Sequence, residues 1–133
     1  MQTLRVTTER HEEMVDITSE VRRAVRDNDW RDGALLVYCP HTTAAITVNE
    51  GADPDVQRDI LTTLRRLVPL EGDYRHSEGN SDAHVKSSLT GCGQLVVVAD
   101  GEVKLGTWQH VYFCEFDGPR SRNVWLQFLP GGA

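Results

Sequence analysis

The stretch QLVVVADGEVKLG, residues 94–106, decides the fold class. Residues 95–99 are all apolar, and they end at Asp100-Gly101, a pair that favours the tight turn of a hairpin. A second β-prone run, EVKLG, follows at once, and two strands joined by so short a turn run antiparallel. A strand apolar at every position needs cover on both faces. Two facing sheets with helices packed outside supply it.

Working outward, WQHVYFCEF and NVWLQFL read as two more strands, so the C-terminal third is a succession of strands. Upstream, residues 2–8, QTLRVTT, read as a strand with Leu4 and Val6 on one face. Thr18 is expected to cap a helix over 19–28, with Val21, Ala24 and Val25 as its apolar stripe. ALLVYCP, ended by Pro40, and AAITVNE, residues 44–50, are strands. Residues 54–67 form the clearest helix: Asp53 stands at the cap, Pro54 at the first helical position, and Val56, Ile60, Leu64 and Leu67 line one face. A short helix is expected before Gly91, with Val85 and Leu89 four apart. The order is strand, helix, two strands, helix, short helix, four strands. It predicts one α+β domain over residues 1–133, a mainly antiparallel sandwich with two to three helices outside.

A net charge of −6 gives no global basic field, which argues against nucleic-acid binding. No run approaches the roughly 20 apolar residues of a membrane span, and the first residues hold no hydrophobic signal core. Cys39, Cys92 and Cys114 are odd in number and lack CxxC spacing. They read as buried small hydrophobes in a cytoplasmic protein.

The residues that need explaining are polar. His76 and His84 bracket the turn-rich segment SEGNSDA, where Gly79 allows a sharp reversal that could bring both imidazoles together. His84 falls in the first turn of the short helix, whose dipole disfavours imidazolium; a metal needs the neutral ring. His41 ends an apolar strand, a precise mount for a ligand, although a lone histidine more often bonds a nearby carbonyl. Three histidines fit a three-ligand site with an open position. Asn49 and Glu50 are either partners of that site or a solvated strand end. In WQHVYFCEF, Gln109 and Glu115 share a partly apolar face, where each needs a partner. Arg120 and Arg122 could fork onto a phosphate from one loop, or meet solvent and acidic neighbours. Lys86, Ser87 and Ser88 could add anion contacts. His11, in a charged run, reads as solvated.

Three motifs in order carry a resemblance: HTTAAITVNE with ADPDVQRDI, then YRHSEGNSDAHVKSSLTG, then LGTWQ leading to CEFDGPR. Over about residues 34–129 the chain resembles the YjbQ-like family, long uncharacterised and also labelled secondary thiamine-phosphate synthase. The resemblance implies a β-rich α+β sandwich assembled as a homotrimer. It also implies a metal-bearing pocket whose histidines match His41, His76 and His84. Relatives weakly join a pyrimidine diphosphate to a thiazole phosphate, releasing pyrophosphate, an activity that looks incidental. Thr43 stands where many relatives have serine, and His110 where many have a small residue. The segment between EGN and AH is shorter than in some relatives.

Two readings follow. In the first, the chain is an enzyme acting on a small phosphorylated metabolite. His41, His76 and His84 hold a divalent metal, zinc foremost; Glu50, with Asn49, serves as the base; Lys86, Ser87, Gln109, Arg120 and Arg122 bind substrate. In the second, the chain is a non-catalytic trimer that binds a metal or a phosphometabolite.

Overall fold

The structure, a computed structural model, describes Met1–Gly132. Among the described residues there are eight strands and three helices. In chain order they are β1 (Gln2–Thr7), β2 (Glu13–Asp16), α1 (Thr18–Asp27), β3 (Gly33–Tyr38), β4 (Ala44–Glu50) and α2 (Pro54–Leu67). There follow α3 (Ser81–Thr90), β5 (Gly93–Ala99), β6 (Glu102–Lys104), β7 (Gln109–Glu115) and β8 (Ser121–Pro130). One sheet has the order β1-β8-β3-β5-β6, the other β2-β7-β4, and every pairing is antiparallel. The expected α+β sandwich is what forms.

Local chemistry explains the elements that were read directly. Asp53 caps α2 by accepting the Asp55 N–H at 2.9 Å, with Pro54 behind it. Asp100 and Gly101 both take positive φ, 53° and 75°, which lets β5 reverse into β6 within two residues.

Alternation then sorts the side chains. Leu35, Val37, Val96, Val98, Val124 and Leu126 face inward from the five-stranded sheet. They meet Ala44, Ile46, Val111 and Phe113 from the three-stranded one. Each such Leu, Ile, Val or Phe side chain contributes about 1.5–3 kcal/mol on burial. Val21, Ala24 and Val25 of α1 join this core. A second, thinner layer lies behind β4 and β7: Ala45, Tyr112, Cys114 and Phe116 against Ala83 of α3 and Leu61 and Leu64 of α2.

Several expectations are corrected. β2 was not foreseen; it is four residues long inside a charged run and forms by pairing with β7. Thr18 is the first residue of α1, not its cap: Asp16 accepts both its N–H (3.0 Å) and its hydroxyl (2.6 Å). The LVVVA strand is covered on one face only. Leu95 and Val97, 62% and 59% exposed, point outward, because α2 and α3 lie over the other sheet. Trp125 and Leu129 share this bare face, and Trp125 stacks on Tyr38. His110 packs over Gly51, where any Cβ would meet its ring at 2.1 Å, and pairs with Asp16 at 2.6 Å.

Candidate functional site

An open hollow of about 800 Å³ lies where β3 ends, β4 begins and α3 passes into β5. β3 stops at Tyr38, Cys39-Pro40 breaks the strand, and His41 and Thr42 form the turn before β4. α3 lies against β4 through Ala83 and Ser87, the latter donating its hydroxyl to the Ala44 carbonyl at 2.6 Å. Positions four apart share a helix face, so His84 and Ser88 run together along the hollow. Ser87, Cys39, Cys92, Tyr38 and Trp125 complete most of its wall.

His76 stands beside His84, ring centroids 5.3 Å apart and nearly perpendicular. The turn at Gly79, φ 76°, makes that reversal possible. His76 Nε2 lies 3.6 Å from Glu78 Oε2. His41 is held differently. Its Nε2 accepts the backbone N–H of Asn123 at 2.9 Å, so in the neutral ring Nδ1 carries the proton. Burial, then the Arg122 guanidinium, lowers its pKa below the ordinary 6.5 and keeps it neutral at pH 7. Among the described residues, no three His, Cys, Asp or Glu side chains stand close enough to hold a metal as placed.

Other candidate residues lie elsewhere, each for a structural reason. Glu50 and Asn49 close β4 at its far end; at about 3.4 Å per residue that is roughly 20 Å from the His41 turn. There Glu50 Oε2 accepts the Asp53 N–H and Asn49 Oδ1 accepts the Glu50 N–H. Gln109 is opposite Glu50 in the sheet and accepts the Gly106 N–H. None of these reaches the histidines within one chain. Lys86 comes two residues after His84, about 200° round the helix, and so faces away. Its ammonium, 1% exposed, sits between Glu12 and Asp82, 2.9 Å from each. Glu12 gives no signal in the sequence, because its partner is 74 positions away.

Arg122 is not on a loop but in β8, buried, pairing with Glu115 through Nε at 2.9 Å and again through Nη2. Nη2 also donates to the Thr43 hydroxyl at 2.9 Å. Glu115 further accepts from the Thr8 hydroxyl at 2.8 Å and the Asp117 N–H at 3.0 Å. The partner that Glu115 needs is thus Arg122, not a ligand. Arg120, exposed, turns back onto Asp117. Cys92 is exposed, whereas Cys39 and Cys114 are buried as expected, with thiols pushed up by burial to about 11 and about 12.

The sequence profile of the family described as UPF0047 protein YjbQ-like matches residues 2–131. The chain is similar to the UPF0047 protein YugU of Bacillus subtilis, 48% identical, covering 97% of this chain and 98% of that one. It is similar to UPF0047 protein MJ1081 of Methanocaldococcus jannaschii, also 48% identical, covering 93% and 90%. Among solved structures, a YjbQ/UPF0047-family protein from Clostridium acetobutylicum superposes with a TM-score of 0.95 at 49% identity, covering 97% of this chain and all of that one. The hypothetical protein TT1486 from Thermus thermophilus gives 0.90 at 44%, with coverage of 97% and 100%.

Burial alone would raise the Glu115 carboxyl's pKa; the bonds from Arg122, Thr8 and the Asp117 N–H outweigh it, and the pKa falls below the ordinary 4.5. A lowered carboxylate contributes stability that is complete above its unfolded value and lost as pH falls through the folded one. Urea midpoints of the wild-type chain are therefore expected to fall below about pH 4.5, and Glu115→Gln to flatten that fall while lowering stability at pH 7. Parallel acid limbs would contradict the assignment.

Proposed function

For a chain that belongs to the UPF0047 protein YjbQ-like family, we propose that the hollow binds a small phosphorylated metabolite beside a divalent metal, zinc foremost, held by His76 and His84. The spacing of those two rings carries the reading. Zinc–nitrogen bonds of about 2.0–2.1 Å at a tetrahedral angle separate two ligand-ring centroids by about 5 Å, and His76 and His84 stand 5.3 Å apart. His41 becomes a third ligand only by releasing the Asn123 N–H; as placed, it offers its Nδ1–H to an anion instead. The bound metal would polarise a phosphoryl oxygen. Ser88, on the same wall, adds a hydroxyl.

A weak thiamine-phosphate-synthase-type transfer fits this arrangement as a side activity: the leaving pyrophosphate is the group a metal and an Nδ1–H donor stabilise. The non-catalytic binding reading is favoured by one observation. Glu50, the expected base, stands at the other end of β4, away from the histidines of its own chain.

The homotrimer is part of the proposal. The outward face of the five-stranded sheet, with Leu95, Val97, Trp125 and Leu129, is an exposed apolar patch of the kind subunits cover. It adjoins the hollow through Tyr38 and Trp125.

Elemental analysis of protein purified without added metal is expected to find divalent metal, reduced at least tenfold by His84→Ala and by His76→Ala. Titration calorimetry with inorganic pyrophosphate should show binding that weakens with the metal lost. Metal content unchanged in both variants would overturn the site. Light scattering should give three times the 14.9 kDa chain mass, falling towards one chain with Val97→Glu; a monomeric wild type would rule the trimer out.

A further inference from the structure

We infer that the bare face of the five-stranded sheet in one copy packs into the groove between α2 and α3 of the next, so that the subunits join head to tail. The inference rests on the trimer reading and deepens it. A threefold ring cannot be built from one patch that meets only itself; each subunit must carry two different patches. The chain has two, on opposite sides of the sandwich. The first is the sheet face. Leu35, Val37, Val96, Val98, Val124 and Leu126 point inward, so the residues between them on β3, β5 and β8 point outward. None of those outward side chains is charged. Register gathers the apolar ones: Leu36 lies opposite Leu95, and Ala34 lies opposite both Val97 and Leu129. A sheet face left in water is ordinarily polar, and depletion of charge marks the centre of an interface.

The second patch lies over the other sheet. α2 is strongly amphipathic, yet none of its residues is fully buried. Between α2 and α3 runs a groove of about 320 Å³, with Ile60, Leu61 and Leu64 on one side, Leu89 on the other, and Cys114 and Phe116 among the residues beneath. Leu89 is 64% exposed, and Val85, one turn before it, is exposed as well. Leu67 continues the α2 side and is 69% exposed. An amphipathic helix whose apolar side stays this open lacks a cover.

The two patches suit each other in charge and in length. No residue lining the groove is charged, so sheet face and groove can meet without burying an ion that has no partner. A charged peptide would leave such an ion in either patch. The groove runs along α2, whose fourteen residues span about 21 Å. The seven residues of β5 span about 24 Å. A second copy of this chain is therefore the occupant that each patch fits. Both patches also reach the hollow: Tyr38 and Trp125 end the sheet face there, and Ser88, next to Leu89, lines it from α3. The seam between subunits thus follows the rim of the hollow.

The test uses the full chain and light scattering. Leu89→Glu puts a charge at the groove, and Val97→Glu puts one on the sheet face. Both positions are exposed, so each variant should keep the wild-type circular dichroism. Where the wild type shows three chains of 14.9 kDa, each variant alone should fall to one. Val85→Glu, on the same side of α3 as Leu89, should repeat the Leu89→Glu result. An equal mixture of Leu89→Glu and Val97→Glu should rise to two chains. The first still offers an intact sheet face and the second an intact groove, so one good contact forms and no ring closes. Leu89→Glu and Val85→Glu both remaining at three chains, or a mixture that stays at one, would overturn the head-to-tail pairing and leave the trimer standing. A wild type of one chain would remove the trimer itself.

Discussion

The buried ion pair between Glu115 and Arg122 is the constraint on which the site depends. Glu115 belongs to β7 in one sheet and Arg122 to β8 in the other. The same two side chains reach Thr8, just after β1, and Thr43, just before β4. Apolar packing between the sheets is strong but non-directional; many small offsets would bury nearly the same area. A charged pair with each of its hydrogen bonds placed tolerates few of them. Such a pair adds little net stability over an apolar substitute, yet leaving one partner unpaired costs about 3–5 kcal/mol. We read it as a device for specificity: it sets one sheet against the other at the end where the hollow opens. It also fixes the turn that carries His41, and its guanidinium helps keep that ring neutral.

Helix α3 divides two kinds of polar chemistry by its own geometry. One side presents His84 and Ser88 to the hollow; the opposite side sends Lys86 to Asp82 and Glu12. The stripe between them, Ala83 and Ser87, is the seam against β4. A single ten-residue element thus serves as wall and anchor at once. The buried Lys86 cluster holds α3 to the segment before β2.

What could be read from the sequence was what local chemistry determines. Asp53-Pro54 announced α2, and Asp100-Gly101 announced the hairpin, because cap and turn are short-range events. The eight-residue separation of His76 and His84, with Gly79 between, was enough to anticipate their meeting. What escaped was fixed by distant partners. β2 has too few residues for alternation to show and owes its existence to β7. The turn-like residues before Arg122 suggested a loop, while its strand is set by pairing with β1 and β3. The roles given to Lys86 and Arg122 failed for one reason: a cation's partner in space is not visible along the chain, and here each partner was already a carboxylate of the same protein. Glu50 stands far from the histidines of its own chain because a strand carries its two ends far apart.

Burial, with the Arg122 guanidinium second, keeps His41 neutral, and its Nε2 is committed to the Asn123 N–H; on the proposed reading His76 and His84 are then the pair open to a metal. Nitrogen-15 NMR of the imidazole side chains tests it directly. His41 is expected to show the Nδ1–H tautomer throughout, titrating below the ordinary histidine value of 6.5, while only His76 and His84 shift when zinc is added. Zinc coordination at His41 Nε2, or a His41 ring that titrates like a free histidine, would contradict it.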